Sequence, residues 1–511
     1  MKKLLCIVFG IIAIQAAFSG GSAQASSSAE RGSYLAGLGR VIPPEEIYVD
    51  SYIAQSDYNY PIPGTGALNV IPAAGFSDNR AYLLIGLRGK KEDFSELPPM
   101  NISFVIDISG SMSEQNKLEW VKESFNIFIE KVRPQDFVSV VIFDNKSELL
   151  IKPAYIRNQQ DRDQFRKQVN ALNPRGGTNI FAGMEMGYSQ VEANFRQDYT
   201  NRVILLTDGI DNGSGKNRKE FLDVCTRYKR QGINISTIAL GEQADISLMV
   251  DMAIAGGGSS RFISDRKVME QTFGSELDRL VVAAAKNLNM ELALSAGVTL
   301  RETWGYSYWT GDSTIHYSLD TLHNGDYETI VAEAVLDGPF SAGTVLGNFS
   351  LSYEDASGRT IREGPFPIVL NAEPGGLIAD ERVREAEGYI ALARGLIEIG
   401  NRTADVSRTQ QEFNRLRKEQ ITVLRNSSAG ASPANSGAEP AEIPDSPEMA
   451  VMRGKITGEI REFLEIVNSL SARLNVISKS LGGNKYPAEL KILENYRTWF
   501  TNSLEAYTTD K

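Results

Sequence analysis

The chain has 511 residues, 42% of them hydrophobic, and a formal net charge of −11. That length exceeds what one hydrophobic core serves, so about two to four domains are expected. The acidic balance repels phosphate backbones and anionic lipid heads, which argues against nucleic acid as a partner.

Residues 1–25 read as an export signal: Lys2 and Lys3 precede an apolar run from Leu4 to Phe18, and "SAQAS" places Ala23 and Ala25 at the small-residue cleavage positions. Cleavage is expected after Ala25. Cys6 lies too early in the run for lipid attachment. The apolar run is too short to span a bilayer comfortably, and no later stretch reads as a membrane helix. An exported mature chain is therefore expected, periplasmic, at the cell surface or secreted. Only Cys225 would remain, which leaves no internal disulfide. It sits in "KEFLDVCTRYKRQG", a helical pattern in which a small buried apolar residue is the simplest role.

Residues 26–97 form an N-terminal segment. "PPEEIYVDSYIAQ" (43–55) reads as one short helix with proline at its start. "ALNVIPAAGF" and "NRAYLLIGLRG" (67–76 and 79–89) read as strands without a sheet of their own, and "ELPPM" (96–100) marks a boundary. Across 98–287 strands and helices alternate. "NISFVIDI", "FVSVVIFD", "RVILLTDG" and "NISTIALG" are near-continuous apolar runs, and "KLEWVKESFNIFIEKV" puts Leu118, Val121, Phe125 and Phe128 on one helical face. Such runs suit a parallel sheet covered on both faces, hence a doubly wound α/β domain. Residues 288–373 change to alternating strands with Gly, Asn and Asp turns, the pattern of an antiparallel β-sandwich. The strands of 67–89 are expected to join it, so that the α/β domain is an insertion.

Residues 374–511 read as helical, with Ile456, Ile460, Phe463, Val467, Leu470, Leu474, Ile477 and Leu481 alternating four and three apart. This seam suits a helical hairpin or bundle, and a partner-binding or self-associating coiled coil uses the same stripe. Val383, Ala386, Ile390 and Ala393 begin a second stripe, which Phe413, Leu416 and Leu424 continue. A Ser-, Ala-, Gly- and Pro-rich linker is expected at 426–447.

The chemistry concentrates in "FVIDISGSMS" (104–113). Asp107, Ser109 and Ser111 lie two apart just past the carboxyl end of a parallel strand, where open α/β sheets bind ligands, and extended chain aims all three to one side. "RGGTN" offers Thr178, and "LLTDG" ends a second apolar strand with Asp208. Two carboxylates and three hydroxyls are hard oxygen donors, which select Mg²⁺, Mn²⁺ or Ca²⁺. Mg²⁺ is favoured because it tolerates few protein ligands. With one thiol and two histidines in the mature chain, zinc is poorly served. If hydroxyls bind directly and an aspartate acts through water, the ion is under-neutralised and attracts a further carboxylate.

Together, "FVIDISGSMS", "RGGTN" and "LLTDG" resemble the metal-ion-dependent adhesion site of von Willebrand factor type A domains, with Asp107, Ser109, Ser111, Thr178 and Asp208 at every position of the pattern. The resemblance implies direct coordination by the serines and threonine, aspartates acting mostly through water, and a protein ligand that offers an acid. "PPEEIYVDSYIAQSDYNYPIPG", "AYLLIGLRGK" and "LPPMNISFVIDISGSM" extend the likeness, over about residues 43–370, to bacterial exported proteins of this group described as homologous to calcium-activated chloride channel proteins. The helical tail lies outside it.

Enzymatic readings find less support. No G-x-S-x-G elbow is present, and His316 and His323 lie in the expected sandwich as ordinary surface or strand histidines. A metal-dependent hydrolase would have the right ion but no evident general base. "NGSGKN" (212–217) fails the phosphate-loop spacing and reads as a loop entering a helix. The other alternative is a scaffold that works through its helical tail without the ion.

Overall fold

A computed structural model describes residues 27–38, 40, 42–77, 80–91, 98–271, 283–305, 308–311, 313–338, 340–355, 358–370, 380–428, 445–483 and 485–508. The expected signal peptide and most of the expected linker lie outside these residues.

Near the start are helix α1 (Ser27–Gly37), a 3₁₀ turn (Pro44–Glu46) and the short helix α2 (Val49–Ile53). The single helix expected over 43–55 is thus two turns. Ile47 and Tyr48 are extended between them, and the hydroxyl of Ser28 takes the Tyr48 N–H, which a continuous helix would have used. Strands β1 (Leu68–Ser77) and β2 (Arg80–Gly89) follow.

The α/β region comprises β3 (Met100–Asp107), α3 (Lys117–Lys131), β4 (Phe137–Phe143), β5 (Ser147–Tyr155), α4 (Gln159–Asn170), α5 (Ile180–Ala193), β6 (Thr200–Thr207), α6 (Arg218–Arg230), β7 (Asn234–Leu240), α7 (Ile246–Ala255), β8 (Ser260–Ile263) and α8 (Arg266–Gln271). Its sheet runs β5-β4-β3-β6-β7-β8, parallel except for β5. Every residue of β3 is buried, as a central strand covered on both faces requires. Phe104 meets Phe125 and Phe128 of α3 at ring-centroid distances of 5.1 and 4.8 Å. On the other face α5 comes close to the sheet. A Cβ on Gly187 would lie 2.4 Å from Val105 Cγ2, and one on Gly183 2.6 Å from Phe143 Cδ1. Cys225 is buried in α6 beside Met184, and burial pushes its thiol up to about 12, as suits an inert core residue. β5 escapes a reading of apolar runs because it is a half-exposed antiparallel edge carrying Lys152 and Pro153.

The remaining strands are β9 (Ala283–Leu294), β10 (Val298–Trp304), β11 (Tyr308–Gly311), β12 (Thr314–His323), β13 (Tyr327–Leu336), β14 (Val345–Asp355) and β15 (Thr360–Val369). They form two antiparallel sheets, β1-β2-β13-β10 and β11-β12-β9-β14-β15. β2 pairs with β13 from Ala81↔Ala334 to Arg88↔Tyr327, so strands on either side of the α/β region in the chain share one sheet. Leu83, Ile85 and Leu87 from one sheet and Leu288, Met290 and Phe349 from the other belong to one apolar cluster. Trp304 is buried, whereas Trp309 is exposed and stacks on His316 at 4.8 Å. His323 is a strand histidine, but a buried one: its Nε2 is 3.1 Å from Arg202 Nη2 of β6, and burial holds its imidazole well below the usual range.

By its internal contacts the chain divides into two units, the second made of residues 32–47 and 388–511. Helices α9 (Glu381–Ser428), α10 (Pro447–Ser480) and α11 (Pro487–Thr508) supply most of the second. Ile456, Ile460, Phe463, Val467, Leu474 and Ile477 of the seam are buried. Phe463 packs on Phe500 of α11 at 4.9 Å, and Arg402 of α9 pairs with Glu459 of α10 at 2.7 Å and with Glu462. The seam is thus used in packing within the chain.

Candidate functional site

Three loops meet at the carboxyl ends of β3 and β6. Past Asp107 the chain turns through Ser109 into a 3₁₀ segment (Gly110–Asn116), with Gly110 N–H donating to the carbonyl of Gly176 at 3.1 Å. The loop before α5 is fixed from both sides. Arg175 N–H donates to the Ile108 carbonyl, and its guanidinium meets Asp144 at 2.8 Å. Gly177 N–H donates to Asn145 Oδ1, and a Cβ on Gly177 would lie 2.6 Å from that oxygen. Asn212, from the loop after β6, accepts the Thr178 N–H at its side chain and donates its own N–H to the Thr178 carbonyl, both at 3.0 Å. Asp211 accepts the Ile180 N–H at 2.8 Å, at the start of α5.

These loops bring the five expected residues together. Ser109 N–H donates to Asp107 Oδ1 at 2.7 Å, and the hydroxyls of Ser109 and Ser111 are 3.0 Å apart. Ser111 Oγ donates to Asp208 Oδ1 at 2.7 Å. Thr178 stands over Gly209, where a Cβ would sit 3.3 Å from its Oγ1. Asp107 and Asp208 are fully buried, and Ser111 is half-buried. Burial pushes the Asp107 carboxyl up to about 6; the Thr207 hydroxyl and the Ser109 N–H oppose the shift, and Asp208 adds to it. Such a carboxylate favours a nearby cation.

The donor set fits a hard dication. An octahedral ion with metal–oxygen distances of about 2.1 Å places neighbouring ligands ~3 Å apart, the spacing of the two serine oxygens. A hydroxyl that gives its proton to a carboxylate, as Ser111 does, keeps its lone pairs for a metal. Among the described residues no group of three or more His, Cys, Asp or Glu side chains could hold a metal, so a zinc-type set is absent there. His323 faces Arg202 and His316 lies on Trp309, so neither serves Ser111 as a base.

Three residues of this site go unread in the sequence. Thr207 donates to Asp107 Oδ2 at 2.6 Å, and Asn212 fixes Thr178. Lys117 donates to Asp208 Oδ2 at 2.6 Å with its side chain 3% exposed, and a Cβ on Gly241 would lie 3.0 Å from Lys117 Cε. Lys117 carried one usable signal, a lysine set among the polar residues that lead from the "SGSMS" loop into α3.

Residues 102–210 match the family profile of the von Willebrand factor type A domain. The chain is 25% identical over 285 residues to the Escherichia coli K12 protein YfbK, a match that covers 54% of this chain and 49% of that one. It is 26% identical over 257 residues to human calcium-activated chloride channel regulator 4, covering 49% of this chain and 26% of the regulator. The chain therefore spans half or less of these two relatives. A solved structure, the von Willebrand factor type A protein from Catenulispora acidiphila, is 15% identical with a TM-score of 0.47, covering 82% of this chain and 91% of that one. The family match falls on β3 through the loop after β6, where the site is built, so over these residues the chain carries a von Willebrand factor type A domain.

Proposed function

We propose that this is an exported, non-enzymatic binding protein whose type A domain holds a divalent cation, Mg²⁺ first, that captures a glutamate or aspartate of a protein partner. The observation that carries this reading is the cluster of Ser109, Ser111 and Asp208, in which the serine oxygens have the spacing of neighbouring ligands and Asp208 takes the Ser111 proton. Ser109, Ser111 and Thr178 would bind the ion directly, and Asp107 and Asp208 would orient hydroxyls and metal-bound water. The ion supplies an open coordination position; the chain supplies its placement at the strand ends.

In the same reading, the domain spans residues 98–287 and is carried by a sandwich of the two antiparallel sheets, formed by residues 288–373 and the strands of the 26–97 segment. The helical region from 374 adds a second surface for a partner or for self-association. No described helix is long and apolar enough to cross a membrane.

The test is capture from a cell-envelope extract by immobilised residues 26–511, in Mg²⁺ and in EDTA, beside Asp107→Ala. A partner held only in Mg²⁺ and lost in the variant is expected. A partner held in every lane would move the function to the sheets or the helices, and turnover abolished by Asp107→Ala with the fold intact would make the protein a metal-dependent hydrolase.

A further inference from the structure

The buried ammonium of Lys117 has no counterpart in the five-residue pattern, yet the fold goes to some length to place it. Gln115 and Asn116, neither of them glycine, both adopt left-handed backbone (φ 53° and 59°) immediately before α3. Two consecutive residues there are strained, and strain of this kind persists only where surrounding structure enforces it. The kink ends the 3₁₀ segment and starts the helix at Lys117. Gly241, at the end of β7 with φ +72°, leaves the space that the lysine stem fills. The ammonium reaches Asp208 Oδ2 at 2.6 Å, with the exposed carboxylate of Glu114 farther off at 4.0 Å.

We propose that Lys117 sets the charge of the metal site: it cancels one of the two buried aspartates, so that a bound dication keeps an excess positive charge and requires an anionic ligand from outside. This rests on the metal-site reading above. Two aspartates and one lysine give the pocket a formal net charge of −1. A dication makes it positive, and a partner's carboxylate makes it neutral. Without Lys117 the aspartates alone would neutralise the ion. It would bind more tightly, and the site would lose its electrostatic demand for an acid. Lys117 is thus a positioning and specificity residue that weakens the grip on the metal and strengthens the grip on the partner.

The full mature chain, wild type beside Lys117→Met and Lys117→Gln, tests this. Free Mn²⁺ is titrated with electron paramagnetic resonance detection, and acetate is then titrated onto the Mn²⁺-loaded proteins with water-proton relaxation as readout. Both variants are expected to bind Mn²⁺ at least about tenfold more tightly and acetate several-fold more weakly than wild type. Their melting temperatures should fall below wild type in EDTA and recover in Mg²⁺, because the dication takes over the role of the ammonium. Lys117→Gln retains a donor toward Asp208, so its agreement with Lys117→Met assigns the effect to charge. Mn²⁺ affinity equal in all three proteins, or lower in the variants, overturns this inference and leaves the metal site standing. No Mn²⁺ binding by any of them overturns the metal site and the inference together. Variants that fail to fold in Mg²⁺ as well as in EDTA overturn it too, since the ion should then have restored them.

Discussion

Asp208 and Asp107 are both fully buried, but their surroundings differ, and so should their substitutions. Asp208 accepts from an ammonium and a hydroxyl. Asp208→Ala would leave Lys117 buried without its carboxylate, and a loss of about 3–5 kcal/mol in metal-free chemical denaturation is expected. Asp107 accepts from the Thr207 hydroxyl and from Ser109 without a cation beside it, and burial opposes its ionisation. Asp107→Asn keeps an acceptor for Ser109 N–H and removes that penalty. Its melting temperature in EDTA should equal or exceed wild type, while the rise on adding Mg²⁺ should shrink or vanish. At this scale the sequence was legible where spacing is local. Asp107, Ser109 and Ser111 announce themselves, and strand-end logic adds Thr178 and Asp208. Lys117 was not legible, because its partner lies 91 residues away and a lysine opening an amphipathic helix ordinarily faces water.

Elements position these residues, and two junctions between elements carry predictions. α5 lies against β3 through Gly187, where the methyl of Gly187→Ala would collide with Val105 Cγ2. A cost of about 1–3 kcal/mol is expected, read as a lower denaturation midpoint. Metal affinity should weaken with it, since Thr178 lies in the loop that leads into α5. The second junction is Asp50 of α2, whose Oδ1 accepts the Gly305 N–H at 2.5 Å. Burial raises its carboxyl to about 7, with Glu302 of β10 and Glu328 of β13 adding to the effect of burial. A folded-state pKa above the unfolded one means the native chain holds a proton that the unfolded chain has released. This contribution is present below the unfolded pKa and lost as pH rises from about 4 through about 7. Asp50→Asn keeps the acceptor without the ionisation. Its stability relative to wild type should grow across that window by on the order of a few kcal/mol and level off above it. Equal pH profiles for the two proteins would show that Asp50 ionises in the native chain as it does in the unfolded one. The strands and long helices were readable from periodicity. The turn at Ile47 and Tyr48 and the edge strand β5 were not, because contacts made by distant residues decide both.

On the scale of the whole molecule, each unit has its own core, and the candidate site belongs wholly to the first. Hydrogen exchange with and without Mg²⁺ should therefore slow around 107–117, 176–180 and 207–212, and leave the amides of α10 and α11 unchanged. Slowing in those helices would mean that the ion reports to the second unit. The shift from alternating strands to heptads was visible in the sequence, whereas the grouping of residues 32–47 with 388–511 was not. What the heptads pack against was not, since a stripe that serves a partner looks the same as one that serves a neighbouring helix of the same chain.

The pairing of β2 with β13 bears on how the chain is made. Ile85 leaves the ribosome long before Ile330, its partner in the sheet, and closing so long a loop is slow and entropically costly. Until then the hairpin of β1 and β2 offers an unpaired, largely apolar edge. The α/β region emerges in between, and its compaction draws the two ends of that loop together. A substitution that slows its folding would thus lengthen the interval in which the β2 edge can pair with another nascent chain, and would appear as aggregation during synthesis even if the finished protein were as stable as before.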